Sequence, residues 1–386
     1  MSINKIRKVV FLTGTRADFG KLKPLMLKLQ DDEMFEVHIF VTGMHMLSRY
    51  GSTWEEIRKV GFKNIYKFIN QNASDSMDHI LSKTVAGLAD YVKETAPDML
   101  IIHGDRVETL AGAIVGALNN ILVSHIEGGE VSGTIDELIR HAASKLSHIH
   151  FVANDTAKKR LTQLGEVTDS IHVIGSPDID VMNSSSLPDI EGVRRYYEFD
   201  FQDYAILLFH PVTTEFGELR RHVHILVDQV LASGLNYIVI YPNNDPGTEI
   251  IFEEYVRLQN NPKMKIYPSM RFEYFLTVLK NATFIIGNSS AGIREAPHFG
   301  VPAINLGTRQ NNRFKCDLVL DAEIEPEAVA RALMRSRTLP RNPIIFFGNG
   351  NSAESFSEIV KSPSFWNRKT QKYFVDQEMN ELGKVV

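Results

Sequence analysis

The stretch Ile101–His150, IIHGDRVETL AGAIVGALNN ILVSHIEGGE VSGTIDELIR HAASKLSHIH, decides the fold. Two short apolar runs, Met99–Ile102 and Ile121–Ser124, read as buried parallel strands. Each ends in polar residues: His103, Asp105 and Arg106 after the first, His125, Glu127 and Glu130 after the second. In open α/β sheets ligands sit outside the carboxyl ends of the strands. Asp105, Glu127 and Asp136 are therefore candidates to share one cleft. Several acids with bases nearby point to proton transfer.

Each acid also has a local reading. Asp105 followed by Glu108 has the spacing of a capping box, opening a helix to about Asn119. Thr134 and Glu137 repeat that spacing for a helix through Ser147, which puts Asp136 in a first turn that favours negative charge. Glu127 has no such reading. It follows a strand and precedes Gly128-Gly129, a pair that suggests a tight turn bringing backbone close to a ligand.

Outward from this stretch, strands alternate with helices along the whole chain, which implies doubly wound parallel sheets. Lys8–Leu12 is a first strand, and Thr13-Gly14-Thr15-Arg16 leads into a helix over Ala17–Gln30 with Pro24 inside it. Backbone N–H groups of such a turn can receive an anion, and Arg16 can clamp a phosphate. Further strands are expected at Phe35–Val41, Ile149–Ala153 and Ile171–Ile174, with helices at Trp54–Val60, Ser76–Thr95 and Asp155–Gly165. The turn-rich Met182–Asp189 reads as linker, and the pattern then restarts. Tyr204–Phe209 ends in His210-Pro211, Glu215–Ser233 is helical, and Tyr237–Tyr241 ends in Pro242-Asn243-Asn244-Asp245. Thr283–Ile286 runs into Gly287-Asn288-Ser289-Ser290-Ala291-Gly292, with a helix on to Phe299, and Pro302–Leu306 precedes Gly307-Thr308-Arg309-Gln310. Two hydroxyls, Ser289 and Ser290, at a helix start suit a diphosphate. Arg294, Glu295, Arg309 and Arg313 lie close by in sequence, and Glu295 can accept from two ribose hydroxyls.

The bulk numbers narrow the class. A chain of 386 residues with 44% hydrophobic and 23% charged content is a soluble two-domain protein by default. A net charge of −5 gives no support to a nucleic-acid surface. One cysteine, Cys316, permits no intrachain disulfide and fits a reducing cytosol. The N-terminus is not a signal peptide, and no apolar run approaches the roughly 20 residues of a membrane span. His141, His148 and His150 have no metal-binding spacing, so no metal is expected. There is no G-x-G-x-x-G fingerprint and no Walker A loop, which disfavours classical dinucleotide and P-loop ATP binding.

The motifs TGTRADFGKLKP, HGDR, HIEGGEVSGTIDELIRHAASKLSH, FHPVTTE, YPNNDPG and GNSSAGIREAPHFGVPAINLGTRQ resemble those of the hydrolysing UDP-N-acetylglucosamine 2-epimerases. The likeness runs from about residue 8 to about residue 313. Ala17-Asp18-Phe19-Gly20 and Gly128-Gly129-Glu130 match that branch, whereas Asn311-Asn312 stands where a glycine-containing pattern is expected. The resemblance implies a GT-B fold, with two Rossmann-like domains and an interdomain active-site cleft. The expected domains are 1–185, carrying the catalytic acids, and 186–386, binding UDP, with a last helix able to pack back on the N-terminal domain. It implies that UDP-N-acetylglucosamine and water become N-acetylmannosamine and UDP, through elimination to a glycal and then hydration, for sialic acid biosynthesis. The alternative substrate is UDP-N,N′-diacetylbacillosamine, for legionaminic acid, and a GT-B glycosyltransferase is the more distant alternative. By the same resemblance Asp105, Glu127 and Asp136 are the catalytic acids; His210, at a strand end, is a further catalytic candidate that can donate to a phosphate or act as a general acid. Arg16, Arg106, Asn243, Ser289, Ser290, Glu295, Arg309 and Arg313 hold the UDP-sugar. No cofactor is required, and a cytoplasmic homo-oligomer, dimer or tetramer, is expected.

Overall fold

The computed structural model describes residues 5–72 and 75–376. The chain forms two compact units. The first comprises residues 1–130, 136–183 and 347–386; the second comprises 131–135 and 184–346. The final stretch of the sequence, 377–386, lies outside the described residues.

The first unit holds seven strands: β1 Arg7–Thr13, β2 Phe35–Val41, β3 Asn64–Lys67, β4 Met99–His103, β5 Leu122–Ile126, β6 Ile149–Val152 and β7 Ile171–Val173. Their order is β3-β2-β1-β4-β5-β6-β7, every pair parallel. Parallel neighbours need crossovers, and the helices that make them cover both faces. That is why Val9–Phe11 and Met99–Ile102 are fully buried and read as unbroken apolar runs. The winding reverses between β1 and β4, so their carboxyl ends frame the crevice of this sheet.

The second unit repeats the scheme with six strands: β8 Ala205–Leu208, β9 Tyr237–Ile240, β10 Met264–Tyr267, β11 Ile285–Gly287, β12 Ala303–Leu306 and β13 Val319–Ala322. The order β10-β9-β8-β11-β12-β13 is again parallel throughout, with its reversal between β8 and β11. The two Rossmann-like parallel sheets of a GT-B chain are therefore present. Among the described residues no helix is long and apolar enough to cross a membrane.

Several local expectations are corrected. The helix after β4 spans Val107–Leu118 and is preceded by Arg106, with no side-chain cap. The capping box of Asp105 and Glu108 does not form, because Asp105 pairs with the Arg140 guanidinium instead. A guanidinium–carboxylate pair joins two opposite full charges, whereas a cap sets the carboxylate against partial backbone charges only. The helix read over Glu215–Ser233 is a 3-10 turn, Thr213–Glu218, followed by an α-helix from Leu219, with Glu215 non-helical at the kink. The helix read from the Ser289 turn to Phe299 is also broken. It consists of a 3-10 turn Ser290–Gly292 and a short helix Glu295–His298, with Pro297 inside the latter. Helices Pro177–Met182, Ile190–Tyr197 and Thr248–Tyr255 and strand β13 are additional to the elements read from sequence.

Candidate active site

At the crevice of the first sheet, β1 ends in a turn that caps itself. Thr15 Oγ accepts from Asp18 N at 3.1 Å, and Asp18 Oδ2 accepts from Gly14 N at 3.0 Å. The Gly14 N–H, in the turn read as an anion receiver, and the Asp18 N–H thus serve the helix cap. Capping leaves the other Asp18 oxygen to reach β4, where His103 Nδ1 lies 2.8 Å away.

His103 is the hinge of a buried ionic cluster. Its Nε2 is 3.4 Å from Glu127 Oε2. Glu127 Oε1 is 3.5 Å from Lys21 Nζ and accepts from Ser176 Oγ at 3.2 Å. Lys21 also lies 3.3 Å from Asp178, whose side chain is fully buried. Burial opposes a charge on His103, but Glu127 and Asp18 outweigh it and raise its pKa to about 9. His125, one strand over, is the opposite case. Burial holds it down to about 3, and its ring is spent on Ser144 Oγ at 2.9 Å and the Gly104 carbonyl at 2.8 Å.

Glu127 itself has a backbone φ of +66°, the left-handed region that non-glycine residues avoid. Such a conformation costs about 1–3 kcal/mol and is concentrated at functional sites. The adjacent glycines are required by the protein's own packing. A Cβ on Gly129, at φ +75°, would stand 2.3 Å from the Ala157 carbonyl, and one on Gly128 would stand 2.9 Å from Ser144 Oγ. The turn is thus wedged against the neighbouring helices, and that wedge sets where Glu127 points from.

The other predicted acids and bases of this unit are already engaged. Asp105 is held by Arg140, a side chain that sequence reasoning did not single out. Asp136 is half-buried in the first turn of helix Ile135–Leu146. Arg16 pairs with Glu56 at 2.6 Å, and Arg106 lies 3.4 Å from the buried Glu108. His148 Nδ1 accepts from Val123 N at 3.0 Å, and His150 pairs with Glu166 at 3.0 Å. Among the described residues no group of three or more histidine, cysteine or acidic side chains is placed to hold a metal ion.

At the crevice of the second sheet, Asn288 clamps the ends of β8 and β11 together. Its Oδ1 accepts from His210 N at 2.7 Å, and its Nδ2 donates to His210 O at 2.9 Å. Gly287 allows this approach: at φ +142° a Cβ there would stand 1.9 Å from Leu208 O. The His210 ring is fixed by a third bond. Its Nδ1 accepts from Asn243 N at 3.0 Å, which places the ring proton on Nε2 and leaves that nitrogen a donor. Asn243 Nδ2 in turn donates to Asp245.

Ser289 Oγ accepts from Ala291 N at 3.3 Å, and Ser290 opens the 3-10 turn. Arg309 Nη1 and Gln310 Nε2 donate to the Asn288 carbonyl at 3.4 and 2.7 Å, which brings Arg309 to the end of β11. Glu295 is buried at the first position of its helix. Arg313 is placed differently: its Nε donates to Val131 O at 2.7 Å, on the segment 131–135 that packs within this unit. Gly133 N donates to Arg309 O at 3.0 Å in the same contact.

Sequence reasoning gave no role to Asp18, Lys21, Ser176, Asp178 and Arg140, and none to His103 beyond its place at a strand end. A signal existed for the first two, since Asp18 and Lys21 are three apart on one helix face in the motif TGTRADFGKLKP. The rest need the β1–β4–β5 adjacency, which no local pattern carries.

Comparison with known proteins gives three findings. A family model described as UDP-N-acetylglucosamine 2-epimerase matches residues 27–361. The chain is 46% identical over 375 residues to the UDP-N-acetylglucosamine 2-epimerase of Neisseria meningitidis serogroup B, covering 96% of this chain and 99% of that protein. It is 33% identical over 363 residues to the UDP-N,N′-diacetylbacillosamine 2-epimerase (hydrolyzing) of Legionella pneumophila, covering 92% and 96%. In fold it is similar to the crystal structure of Methanocaldococcus jannaschii UDP-GlcNAc 2-epimerase in complex with UDP-GlcNAc and UDP, with a TM-score of 0.79, 24% identity and coverage of 92% and 99%.

Proposed function

This chain belongs to the UDP-N-acetylglucosamine 2-epimerase family, and on that premise we propose that it is a hydrolysing member. It converts UDP-N-acetylglucosamine and water to N-acetylmannosamine and UDP, and so feeds sialic acid biosynthesis. The observation that carries the reading is the acid cluster at the first crevice, where Glu127 is strained at φ +66° and flanked by His103 and Lys21.

The chemistry starts from a weak acid. The hydrogen on carbon 2 is not adjacent to a carbonyl within the ring, so direct abstraction is slow. Expulsion of UDP breaks the C1–O bond, and the electron pair leaves with the diphosphate. Carbon 1 becomes oxocarbenium-like, and the carbon 2 proton becomes acidic. A carboxylate takes that proton, and the electron pair of the C–H bond forms the glycal double bond. Water then adds, with hydroxyl at carbon 1 and a proton delivered to carbon 2 from the other face.

In this reading the His210 Nε2 proton and the donors of Ser289, Ser290, Arg309, Arg16 and Arg106 stabilise the departing diphosphate. Donors fixed before the reaction cost no reorganisation. Glu295 holds the ribose, and Asn243 orients His210. Glu127 serves the elimination, Asp136 the hydration, and Asp105 assists from its pairing with Arg140. Chromatographic product analysis tests the assignment. Free UDP with N-acetylmannosamine supports it, whereas UDP-N-acetylmannosamine without free UDP would establish a non-hydrolysing epimerase.

A second reading differs only in the sugar. The identity to the Legionella protein favours UDP-N,N′-diacetylbacillosamine as the alternative substrate. The ratio of kcat/KM for the two nucleotide sugars decides between them.

A further inference from the structure

The cluster around His103 contains more charge than a general acid–base site needs. Three carboxylates, Asp18, Glu127 and Asp178, meet two cations, His103 and Lys21. With His103 protonated the cluster carries one surplus negative charge; with His103 neutral it would carry two. The members come from four places in the chain: Asp18 and Lys21 from helix Arg16–Gln30, His103 from the end of β4, Glu127 after β5, and Asp178 from helix Pro177–Met182. Ser176 adds a neutral donor to Glu127. Both Glu127 oxygens are thereby addressed, Oε2 by His103 at 3.4 Å and Oε1 by Lys21 at 3.5 Å.

We infer that His103 is a positioning residue for Glu127: braced by Asp18 on its far side, it works with the Asp178-anchored Lys21 to keep Glu127 ionised and aimed. The inference rests on the elimination role proposed for Glu127 and assigns His103 no proton transfer of its own. Three features favour a built cradle over incidental packing. Asp18 takes part in both its own turn's cap and the His103 contact, so the helix start and the imidazole are set together. Lys21 is held from two sides although its side chain is 9% exposed. The residue being held is also the one with the strained backbone. A buried ion cluster is weak evidence for stability, so a cluster focused on one strained carboxylate calls for a functional account.

Two consequences are measurable. His103 remains an imidazolium at neutral pH, in agreement with its rise to about 9. Glu127 remains a carboxylate at pH values where an uncradled one would begin to protonate. The test uses the full chain labelled at histidine Cε1 and followed by NMR from about pH 6 to 10. His103 is identified by the signal lost in His103→Gln. The expected result is a charged ring through about pH 8, with the midpoint falling by about one unit or more in Glu127→Gln, as for removal of an opposite charge in contact. A ring that titrates at or below its ordinary value, or that ignores Glu127→Gln, overturns the inference.

A kinetic arm tests function. In His103→Gln, kcat for UDP-N-acetylglucosamine falls about tenfold or more, while KM stays within about twofold, the pattern of an interaction realised in the transition state. The acidic limb of kcat/KM moves to higher pH by about one unit, because loss of the cation makes Glu127 easier to protonate. Asp18→Asn, which removes the brace behind the ring, lowers kcat with KM within about twofold and serves if His103→Gln fails to fold. An unchanged limb in an active His103→Gln variant, or an unchanged kcat in Asp18→Asn, overturns the inference. Absence of UDP release by the wild type would refute the hydrolysing reading instead, and the histidine titration would still decide whether the cradle exists.

Discussion

Asn288→Ala isolates the device that joins the ends of β8 and β11 in the second unit, where we propose that the diphosphate binds. Asn288 is 1% exposed and makes two hydrogen bonds to the His210 backbone, at 2.7 and 2.9 Å. Truncation removes both and leaves a buried N–H and a buried carbonyl without those partners. Each lost bond costs about 1 kcal/mol, and a buried group left unsatisfied raises this toward 1–3 kcal/mol, so a total of about 2–4 kcal/mol is expected. For a unit of this size that is roughly 5–10 °C in Tm. The Asn288 carbonyl that receives Arg309 and Gln310 belongs to the backbone and survives the substitution. The effect on UDP should therefore come through His210, at about a tenfold weaker Kd, or 1.4 kcal/mol. Differential scanning fluorimetry with and without UDP and titration calorimetry measure the two effects. Asn288→Asp keeps the acceptor for His210 N but sets a second acceptor against His210 O, so it should be at least as damaging. A variant that melts with the wild type and binds UDP unchanged would refute the clamp.

Three further outcomes are expected. Gly129→Ala puts a Cβ 2.3 Å from the Ala157 carbonyl at φ +75° and should cost about 2 kcal/mol or more by denaturant unfolding. A full-stability variant would contradict the wedge. In stability against pH, the raised pKa of His103, about 9, contributes stability that is complete below its unfolded value near 6.5 and is lost as pH rises through 9. His45 and His125, pushed down to about 4 and about 3 by burial, act in the opposite sense and remove stability as pH falls below 6.5. Chemical denaturation across pH should therefore give an optimum near neutrality, and a flat profile from pH 6.5 to 9 would contradict the His103 charge. Asp136→Asn should release UDP while slowing the appearance of N-acetylmannosamine, so that glycal accumulates. Full-rate formation of both products would remove Asp136 from the hydration step.

The sheets were legible because their strands are buried on both faces. Runs such as Met99–Ile102 have no other use for so many apolar residues, and β1, β4 and β5 lie where those runs lie. Glu127 stood out in sequence because no helix start accounted for it, and the structure adds its strained backbone. What sequence did not reveal depends on strand order. Asp18 and His103 are 85 positions apart and meet because β1 and β4 pair in parallel, a consequence of the crossover topology. Asp105 was readable as a cap because Asp-x-x-Glu is a cap spacing, and only the arrival of Arg140 shows otherwise. The break in the helix after Ser290 has a visible cause in Pro297, which sequence reading ran through. The Gly128-Gly129 pair was understood as permissive backbone, but what approaches it is the helix carrying Ala157.

The most direct test of the account is proton NMR of the full chain with UDP-N-acetylglucosamine in deuterated water. The account predicts free UDP together with N-acetylmannosamine carrying deuterium at carbon 2, since the proton taken in elimination exchanges with solvent before hydration returns one. N-acetylmannosamine that keeps its original hydrogen at carbon 2, or an epimerised sugar still attached to UDP, would contradict it.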